Sequence, residues 1–129
     1  MSFQPRELPI LSKSKKNSSG SIIPKGTPVK LDTATDDCVV PTAATTDLVY
    51  GIARSDIAVN DYGDIGVVGT FIALAGGTIT RGQRVGPDAT GKIVAATADK
   101  VSVIGMAERS AVLSDLFEVT LGVGITTSV

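Results

Sequence analysis

The stretch "DLFEVTLGV" (residues 115–123) decides the fold class, because apolar and mostly polar positions alternate along it. The two alternating sets are Phe117, Val119 and Leu121 on one side and Leu116, Glu118 and Thr120 on the other. Successive side chains of a β-strand point to opposite faces, so a period of two places one set in a core and the other in solvent. The stretch therefore predicts a half-buried strand.

Other short apolar runs lie outward from this strand. They are "SIIPKGTPVKLD" (21–32), "DDCVVP" (36–41), "DLVYGIA" (47–53), "DIGVVG" (64–69), "TFIALA" (70–75) and "KVSVIGMA" (100–107). Turn-forming residues separate the runs at intervals of about 8 to 12 residues, a spacing typical of small all-β proteins. Only "AERSAVLSD" (107–115) favours a helical turn or two. We expect a mainly β fold, a small β-barrel or β-sandwich-like domain with little helix.

The first 20 residues differ in composition from the rest of the chain. Their charged residues are the cations Arg6, Lys13, Lys15 and Lys16 and the anion Glu7. This segment therefore has a net charge of +3, and residues 21–129 carry −4 within a chain of net charge −1. Prolines and the run "NSSG" (17–20) favour an extended or mobile chain. We expect a flexible basic N-terminal arm over residues 1–20 and one β-rich domain over residues 21–129.

The residue types that the sequence lacks restrict its chemistry. The chain of 129 residues contains no histidine and no tryptophan, and it has five aromatic side chains. Histidine is the side chain most often used for proton transfer near neutral pH and as a transition-metal ligand. Few aromatic rings are available for stacking on bases. We expect neither an enzyme nor a nucleic-acid-binding protein, and we expect no metal and no cofactor.

One motif resembles a phosphate-binding loop. In "RVGPDATGKIV" (84–94), Gly86, Gly91 and Lys92 have the spacing G-x-x-x-x-G-K. A phosphate loop requires Ser or Thr after the lysine and a helix beginning there, but this sequence has Ile93 and continues with strand-like residues. Pro87 and Gly91 favour a turn. The motif therefore predicts a β-hairpin.

Three other groups of residues resemble a calcium site, a reactive cysteine or a phosphate-binding patch. The acidic run "DIAVNDYGD" (56–64) departs from the calcium-loop pattern and predicts a turn rich in Asp and Asn. Cys38 lies in a strand-like run without a histidine to activate it, so a small buried apolar residue is expected. Arg81 and Arg84 with Lys92 favour a solvated strand face over a phosphate track.

Hydropathy indicates no membrane segment. No apolar run approaches the roughly 18 residues that a membrane span requires. The N-terminal stretch has a short apolar patch interrupted by Pro9 and followed by lysines, unlike a secretory signal. We expect no membrane partner, and synthesis in the cytoplasm.

The order of strands and turns resembles a known family. The run "GTPVKLDTATDDCVVPTAATTDLVYGIARSDIAVNDYGDIGVVGTF" (26–71) is similar to the core of the head-decoration, or cement, proteins of tailed bacteriophages, including the lambda type. The segments "GGTITRGQRVGPDATGKIVAATADKVSVIGMAE" and "LFEVTLGVG" resemble related small phage structural proteins. Together these similarities cover about residues 21–123. They rest on strand and turn patterns, and the chain departs from the lambda type in its extra C-terminal strands and its basic arm.

The resemblance implies a fold and a role. It implies a β-tulip type of domain that sits as a homotrimer on the outer surface of a phage head, made in the host bacterial cytoplasm and bound to the major capsid protein. It also implies that the N-terminal arm contacts capsid subunits. The candidate capsid-binding residues are Phe3, Gln4, Pro5, Arg6, Leu8, Ile10, Leu11, Lys13, Lys15 and Lys16.

Two other classes of function stay open on the sequence alone. One is a β-module of a phage tail or virion that binds a carbohydrate or another receptor ligand, which requires a pocket with converging polar and aromatic groups. The other is a glycoside hydrolase with two carboxylates, although the three glutamates and the scattered aspartates mark no such pair.

Overall fold

The computed structural model describes residues 7–97 and 101–122, and these residues form one nine-stranded sheet without a helix. The strands are β1 (Leu8–Asn17), β2 (Pro28–Leu31), β3 (Cys38–Pro41), β4 (Gly51–Ala53), β5 (Tyr62–Leu74), β6 (Arg84–Pro87), β7 (Ile93–Ala95), β8 (Gly105–Ala107) and β9 (Leu116–Leu121). Their order in the sheet is β1-β3-β2-β4-β5-β9-β8-β6-β7, with a further pairing between β1 and β5. The expected mainly β architecture is confirmed.

The N-terminal half of the sheet closes on itself. Strand β1 pairs in parallel with β3 at Lys16 and Asn17, and antiparallel with β5 from Leu8 to Lys16. Together with β2 and β4, these strands form a closed circuit of five, which we call the first ring. Ring closure removes sheet edges that would otherwise be exposed.

The C-terminal half repeats this arrangement. The second part of β5 pairs antiparallel with β9 from Gly69 to Leu74, and β8, β6 and β7 follow in order. A parallel bridge between Ala75 and Ile93 closes this circuit, which we call the second ring. Strand β5 therefore belongs to both rings.

The two rings use the same backbone contacts at equivalent positions. The amide of Gly26 donates to the carbonyl of Ala53 at 2.9 Å, and that of Gly82 donates to Ala107 at 2.8 Å. Both glycines have φ of 89°. The reciprocal antiparallel bridges are Ile23 with Ile57 and Ile79 with Ala111. Residues 51–67 correspond to residues 105–121, so the domain consists of two copies of one supersecondary unit.

Each ring contains its own apolar core. The first core consists of Ile23, Val29, Val39, Ala53, Ile57 and Ile65. The second core includes Phe71, Ala73, Ile79, Val85, Ile93, Phe117 and Val119, and it also takes in Ile52 from the first ring. Phe71 and Ile52 are fully buried and belong to the same cluster. The rings therefore pack against each other through these two side chains.

Most of the predicted strands are found, with differences at their ends. The alternation at 115–123 is confirmed, because Phe117, Val119 and Leu121 are buried in β9. The runs at 64–69 and 70–75 belong to the single strand β5, since Gly69 continues the pairing at φ 126°. The predicted helical turn at 107–115 is wrong: the segment bends after β8, forms an antiparallel bridge of Ala111 with Ile79, and ends in a tight turn in which the amide of Asp115 donates to the carbonyl of Val112 at 3.0 Å.

The segment predicted as a flexible arm contributes a strand. Residues 8–17 form β1, which is paired along β5. Most side chains of β1 are exposed or half-buried, so the strand lacks the alternation that reveals a buried face in the sequence. Its place in the sheet comes from backbone pairing. Residues 1–6 lie outside the described part of the chain, and a flexible arm there stays a prediction.

The contact between the rings provides a test of this packing. A methyl group added at Gly66 would lie 2.3 Å from Cε1 of Phe71, so Gly66→Ala should destabilise the protein by about 1–3 kcal/mol through overpacking. Urea denaturation measures the change. Gly77→Ala is the matched control, because its new methyl group would have 4.0 Å to its nearest neighbour, Val94. Equal unfolding midpoints for the two variants would contradict the packing described above.

Candidate functional site

The candidate arm residues fall into two groups. Phe3, Gln4, Pro5 and Arg6 lie outside the described residues. Leu8, Ile10, Leu11, Lys13, Lys15 and Lys16 all lie on β1. Leu8 is 70% exposed and Ile10 is 79% exposed, which is unusual for large apolar side chains on a paired strand. The first part of β1 therefore presents apolar surface to solvent.

This apolar surface belongs to a groove where the two rings meet. The groove has a volume of about 640 Å³. Its lining comes from three neighbouring strands and consists of Leu8, Pro9 and Ile10, then Val68, Gly69 and Thr70, then Thr120, Leu121 and Gly122. The groove contains Leu8, the second described residue, and Gly122, the last one. We call it the waist groove.

Lys13 and Lys15 of β1 have different surroundings. Lys15 forms an ion pair with Asp37 at 3.1 Å and lies 5.7 Å from the ring centre of Tyr50. The hydrogen bond to Asp37 raises the pKa of Lys15 above its ordinary value. Lys13 is exposed and forms no ion pair with another described residue. Lys13 is therefore available to an external anion.

Arg54 holds the beginning of β1 against the rest of the domain. Its Nε donates to Oε1 of Glu7 at 3.1 Å, and its Nη1 lies 3.5 Å from the hydroxyl of Ser12 and 3.8 Å from a carboxylate oxygen of Asp64. The guanidinium also lies 5.9 Å from the ring centre of Phe71. Arg54 thus fixes the position of Glu7 and with it the beginning of β1.

A second concavity, which we call the cleft, lies between the rings and has a volume of about 320 Å³. Its lining comes from equivalent positions of the two copies. The first copy contributes Leu48, Val49, Tyr50, Gly51, Val67 and Val68. The second copy contributes Ser102, Val103, Ile104, Leu121 and Gly122. The hydroxyl of Ser102 donates to the carbonyl of Asp47 at 2.6 Å across the cleft wall. The lining is mainly aliphatic, and Tyr50 contributes one aromatic ring.

The loop beside this cleft depends on one carboxylate. Asp47 accepts hydrogen bonds from the amides of Ala43 at 2.7 Å and Ala44 at 3.0 Å, and it pairs with Lys30 at 3.2 Å. The hydrogen bond from Ala43 is the main cause that lowers the pKa of Asp47 below its usual range. The carboxylate therefore stabilises the loop in its charged form.

The phosphate-loop spacing forms a hairpin turn, as predicted. Strands β6 and β7 pair antiparallel on its two sides, from Val85 with Ala95 to Pro87 with Ile93. Within the turn, Oδ1 of Asp88 accepts hydrogen bonds from the amides of Thr90 at 2.8 Å and Lys92 at 2.9 Å. An internal carboxylate occupies the concave side of the loop, which makes the site unsuitable for a phosphate.

Cys38 and the acidic run at 56–64 have structural roles. Cys38 is 4% exposed, which confirms a small buried apolar residue. Asp56 accepts a hydrogen bond from the amide of Lys25 at 2.7 Å, and Asn60 adopts φ 64° in the predicted turn. Residues 7–97 and 101–122 contain no group of three or more His, Cys, Asp or Glu side chains placed to hold a metal ion. Within the same residues, no helix has the length and apolar character for crossing a membrane.

Sequence reasoning missed Arg54, the waist groove and the cleft. Each of them depends on strand register, which brings residues that are distant in the sequence onto neighbouring strands. The signal that could have revealed them is the internal repeat: "YGIARSDI" (50–57) and "IGMAERSA" (104–111) align without a gap.

Comparison with known proteins gives two positive findings. A family model described as phage cement protein matches residues 14–120. Among solved structures, the crystal structure of the N base of the head fiber gp8.5 of bacteriophage phi29 is similar, with a TM-score of 0.67 and 16% sequence identity over 87% of this chain and 93% of that one. At this identity the similarity establishes the fold. No curated protein matches the chain.

Asp47 gives a prediction on pH dependence. Its pKa in the folded protein lies below the value of about 3.9 for free Asp, so its contribution to stability is present above about pH 4 and is lost as the pH falls through the folded pKa. Asp47→Asn should lower the melting temperature at pH 7, and the difference from the unsubstituted protein should shrink below about pH 4. Thermal denaturation at several pH values measures this.

Asp36→Asn is the matched control for Asp47→Asn. The Asp36 side chain is exposed and makes no hydrogen bond or ion pair with another described residue, so its replacement should leave the melting temperature unchanged. A difference for Asp47→Asn that stays constant from pH 7 to pH 3 would show that the charge of Asp47 contributes nothing.

Proposed function

This chain belongs to the phage cement protein family, and we propose that it binds the outer surface of a tailed-phage capsid as a homotrimer and stabilises the mature head. The family match carries the proposal, because it extends over residues 14–120 and so includes strands of both rings. The protein is a structural component of a phage head and thus of the virion. The shared fold with the base of a phi29 head fiber supports a position on the outside of the head.

Stabilisation of a head requires selective binding and no catalysis. A protein that binds the mature lattice but not its precursor or its ruptured form shifts the equilibrium towards the mature lattice. We propose that the major capsid protein is the partner. Association into trimers would add avidity, since three weak contacts on one rigid scaffold dissociate far more slowly than one contact.

The proposed anchor is the N-terminal segment, including residues 1–6 and the exposed part of β1. In this proposal Phe3, Leu8, Ile10 and Leu11 enter apolar grooves of the shell, with Gln4 and Pro5 between them. Arg6, Lys13 and Lys16 meet carboxylates, while Lys15 is already paired with Asp37. The attachment of Glu7 to Arg54 at 3.1 Å supports this role, because it gives the anchor a fixed starting point on a rigid ring.

A receptor-binding module is the second candidate, and the cleft between the rings is where it would bind a ligand. Carbohydrate sites usually combine aromatic faces with several converging polar groups. The residues that line the cleft are mainly aliphatic and include one aromatic ring, that of Tyr50. This lining favours the capsid-binding proposal over a sugar-binding one.

The first experiment removes residues 1–6 alone. Because β1 is a strand of the first ring, deletion to residue 20 would remove a sheet element and confound binding with folding. A chain that begins at Glu7 should keep its melting temperature but bind undecorated mature heads more weakly. Co-sedimentation measures the binding, and the rupture temperature of the decorated heads should rise less than with the full chain.

The full-length protein, tested on the same heads, is the reference for this deletion. If it saturates the heads and the shortened chain binds equally well, the arm has no anchoring role. If the full chain does not bind heads at all, the cement function itself is wrong for this protein.

The charge of β1 gives a separate prediction. Lys13→Glu should reduce head binding several-fold at low salt, and the difference should shrink near 1 M salt, where the Debye length is about 3 Å. Lys25→Glu is the matched control, because it makes the same change in net charge at an exposed loop residue outside β1. Equal losses for the two variants would indicate a general charge effect and not a specific contact.

A further inference from the structure

The two rings differ in what covers one equivalent surface. In the first ring, Ser12, Gly66, Ile52 and Pro28 lie side by side on β1, β5, β4 and β2, and we call them the covered row. Ile52 is 0% exposed and belongs to the second core. A methyl group at Gly66 would meet Phe71 at 2.3 Å. The second ring therefore covers this outer face of the first ring.

The equivalent residues of the second ring are exposed or half-buried. They are Thr70, Thr120, Met106 and Arg84 on β5, β9, β8 and β6, and we call them the open row. Met106 is 50% exposed, whereas the equivalent Ile52 is fully buried. Thr120 and Arg84 are also exposed. Among residues 7–97 and 101–122, the surface that the first ring uses for an internal contact thus has no such cover in the second ring.

The chemistry of the open row differs from that of the covered row. The hydroxyls of Thr70 and Thr120 both donate to Oε2 of Glu108, with a distance of 3.1 Å from Thr70. Arg84 makes no ion pair with another described residue. The open row therefore combines one apolar side chain, a carboxylate held by hydroxyls, and a free cation. Obligate interfaces between copies are more apolar than this, whereas interfaces that form after folding have such a mixture.

The position of the open row connects it to the proposed anchor. Leu8 pairs with Thr70 and so extends the row by one strand. Leu8 begins the exposed part of β1 that belongs to the proposed anchor, and the waist groove lies along the same row, since Thr70 and Thr120 line it. Any partner that holds the anchor therefore lies close to this face.

We propose that the open row is a second capsid-binding surface, which docks on the major capsid protein beside the N-terminal anchor. The inference rests on the proposed function and adds the face that the domain turns to the shell. The partner surface has an apolar depression for Met106, an acidic group opposite Arg84, and a hydrogen-bond donor opposite Glu108. The anchor and the open row together fix the orientation of the domain, which one extended segment cannot do.

The test is Met106→Glu, measured by co-sedimentation with undecorated mature heads. Arg84 lies next to Met106 on the neighbouring strand and provides a partner for the new carboxylate, so the fold should tolerate the change. The affinity for heads should fall at least about tenfold, the effect typical of a residue at the centre of an interface. Val112→Glu is the matched control, because Val112 is 57% exposed and lies outside the four strands of the row, next to the Ile79–Ala111 bridge, and it should bind like the unsubstituted protein.

A second variant separates a loss of binding from a loss of folding. Arg84→Glu changes an exposed side chain without a described ion-pair partner and should also weaken binding, with an unchanged melting temperature. If the unsubstituted protein binds heads and all three variants bind equally well, the open row is not a docking surface, although the cement function stands. If the open-row variants instead alter the mass of the free protein in light scattering, a second copy occupies the face and the proposal is overturned. Failure of the unsubstituted protein to bind heads would overturn the proposed function itself.

Discussion

The architecture depends on the backbone pairing of β5, which serves two rings at once. Its first part, from Tyr62 to Thr70, pairs with β1, and its second part, from Gly69 to Leu74, pairs with β9. The last strand of the first ring is therefore also the first strand of the second. Neither ring can lose this strand without opening the other, so the two copies form one cooperative unit. Rigidity of this kind suits the proposed role of holding capsid subunits in place.

The sequence predicts those elements whose side chains alternate between core and solvent. Phe117, Val119 and Leu121 reveal β9 because they fill the second core, and the turn residues reveal the hairpin of β6 and β7. Strand β1 escapes prediction because its side chains are largely exposed and it is held by hydrogen bonds of the backbone, which depend little on the type of side chain. Alternation reports burial, and it says little about a strand that buries neither face.

The candidate site was predictable only in part, for a related reason. The arm residues were identified by composition, since apolar and basic side chains stand out in a polar segment. Arg54 and the open row were not, because their role depends on register: Glu7 and Arg54 are 47 positions apart, and Thr70 and Glu108 are 38 apart. The repeat would have supplied part of this information. Identical residues such as Gly51 and Gly105, or Ala53 and Ala107, mark the equivalent strands β4 and β8.

The duplication also explains why surfaces, and not pockets, carry the proposed function. When one unit is repeated in a chain, both copies have the surface that packs against the neighbouring copy. The first copy satisfies that face with Phe71 of the second, and among the described residues no equivalent side chain covers the face of the second copy. The two faces can then differ in sequence without disturbing either core: Met106, which is 50% exposed, stands where the first copy has the buried Ile52. The open row is therefore a natural place for a binding surface, because the equivalent face of the first copy already shows that this geometry can pack against a neighbour.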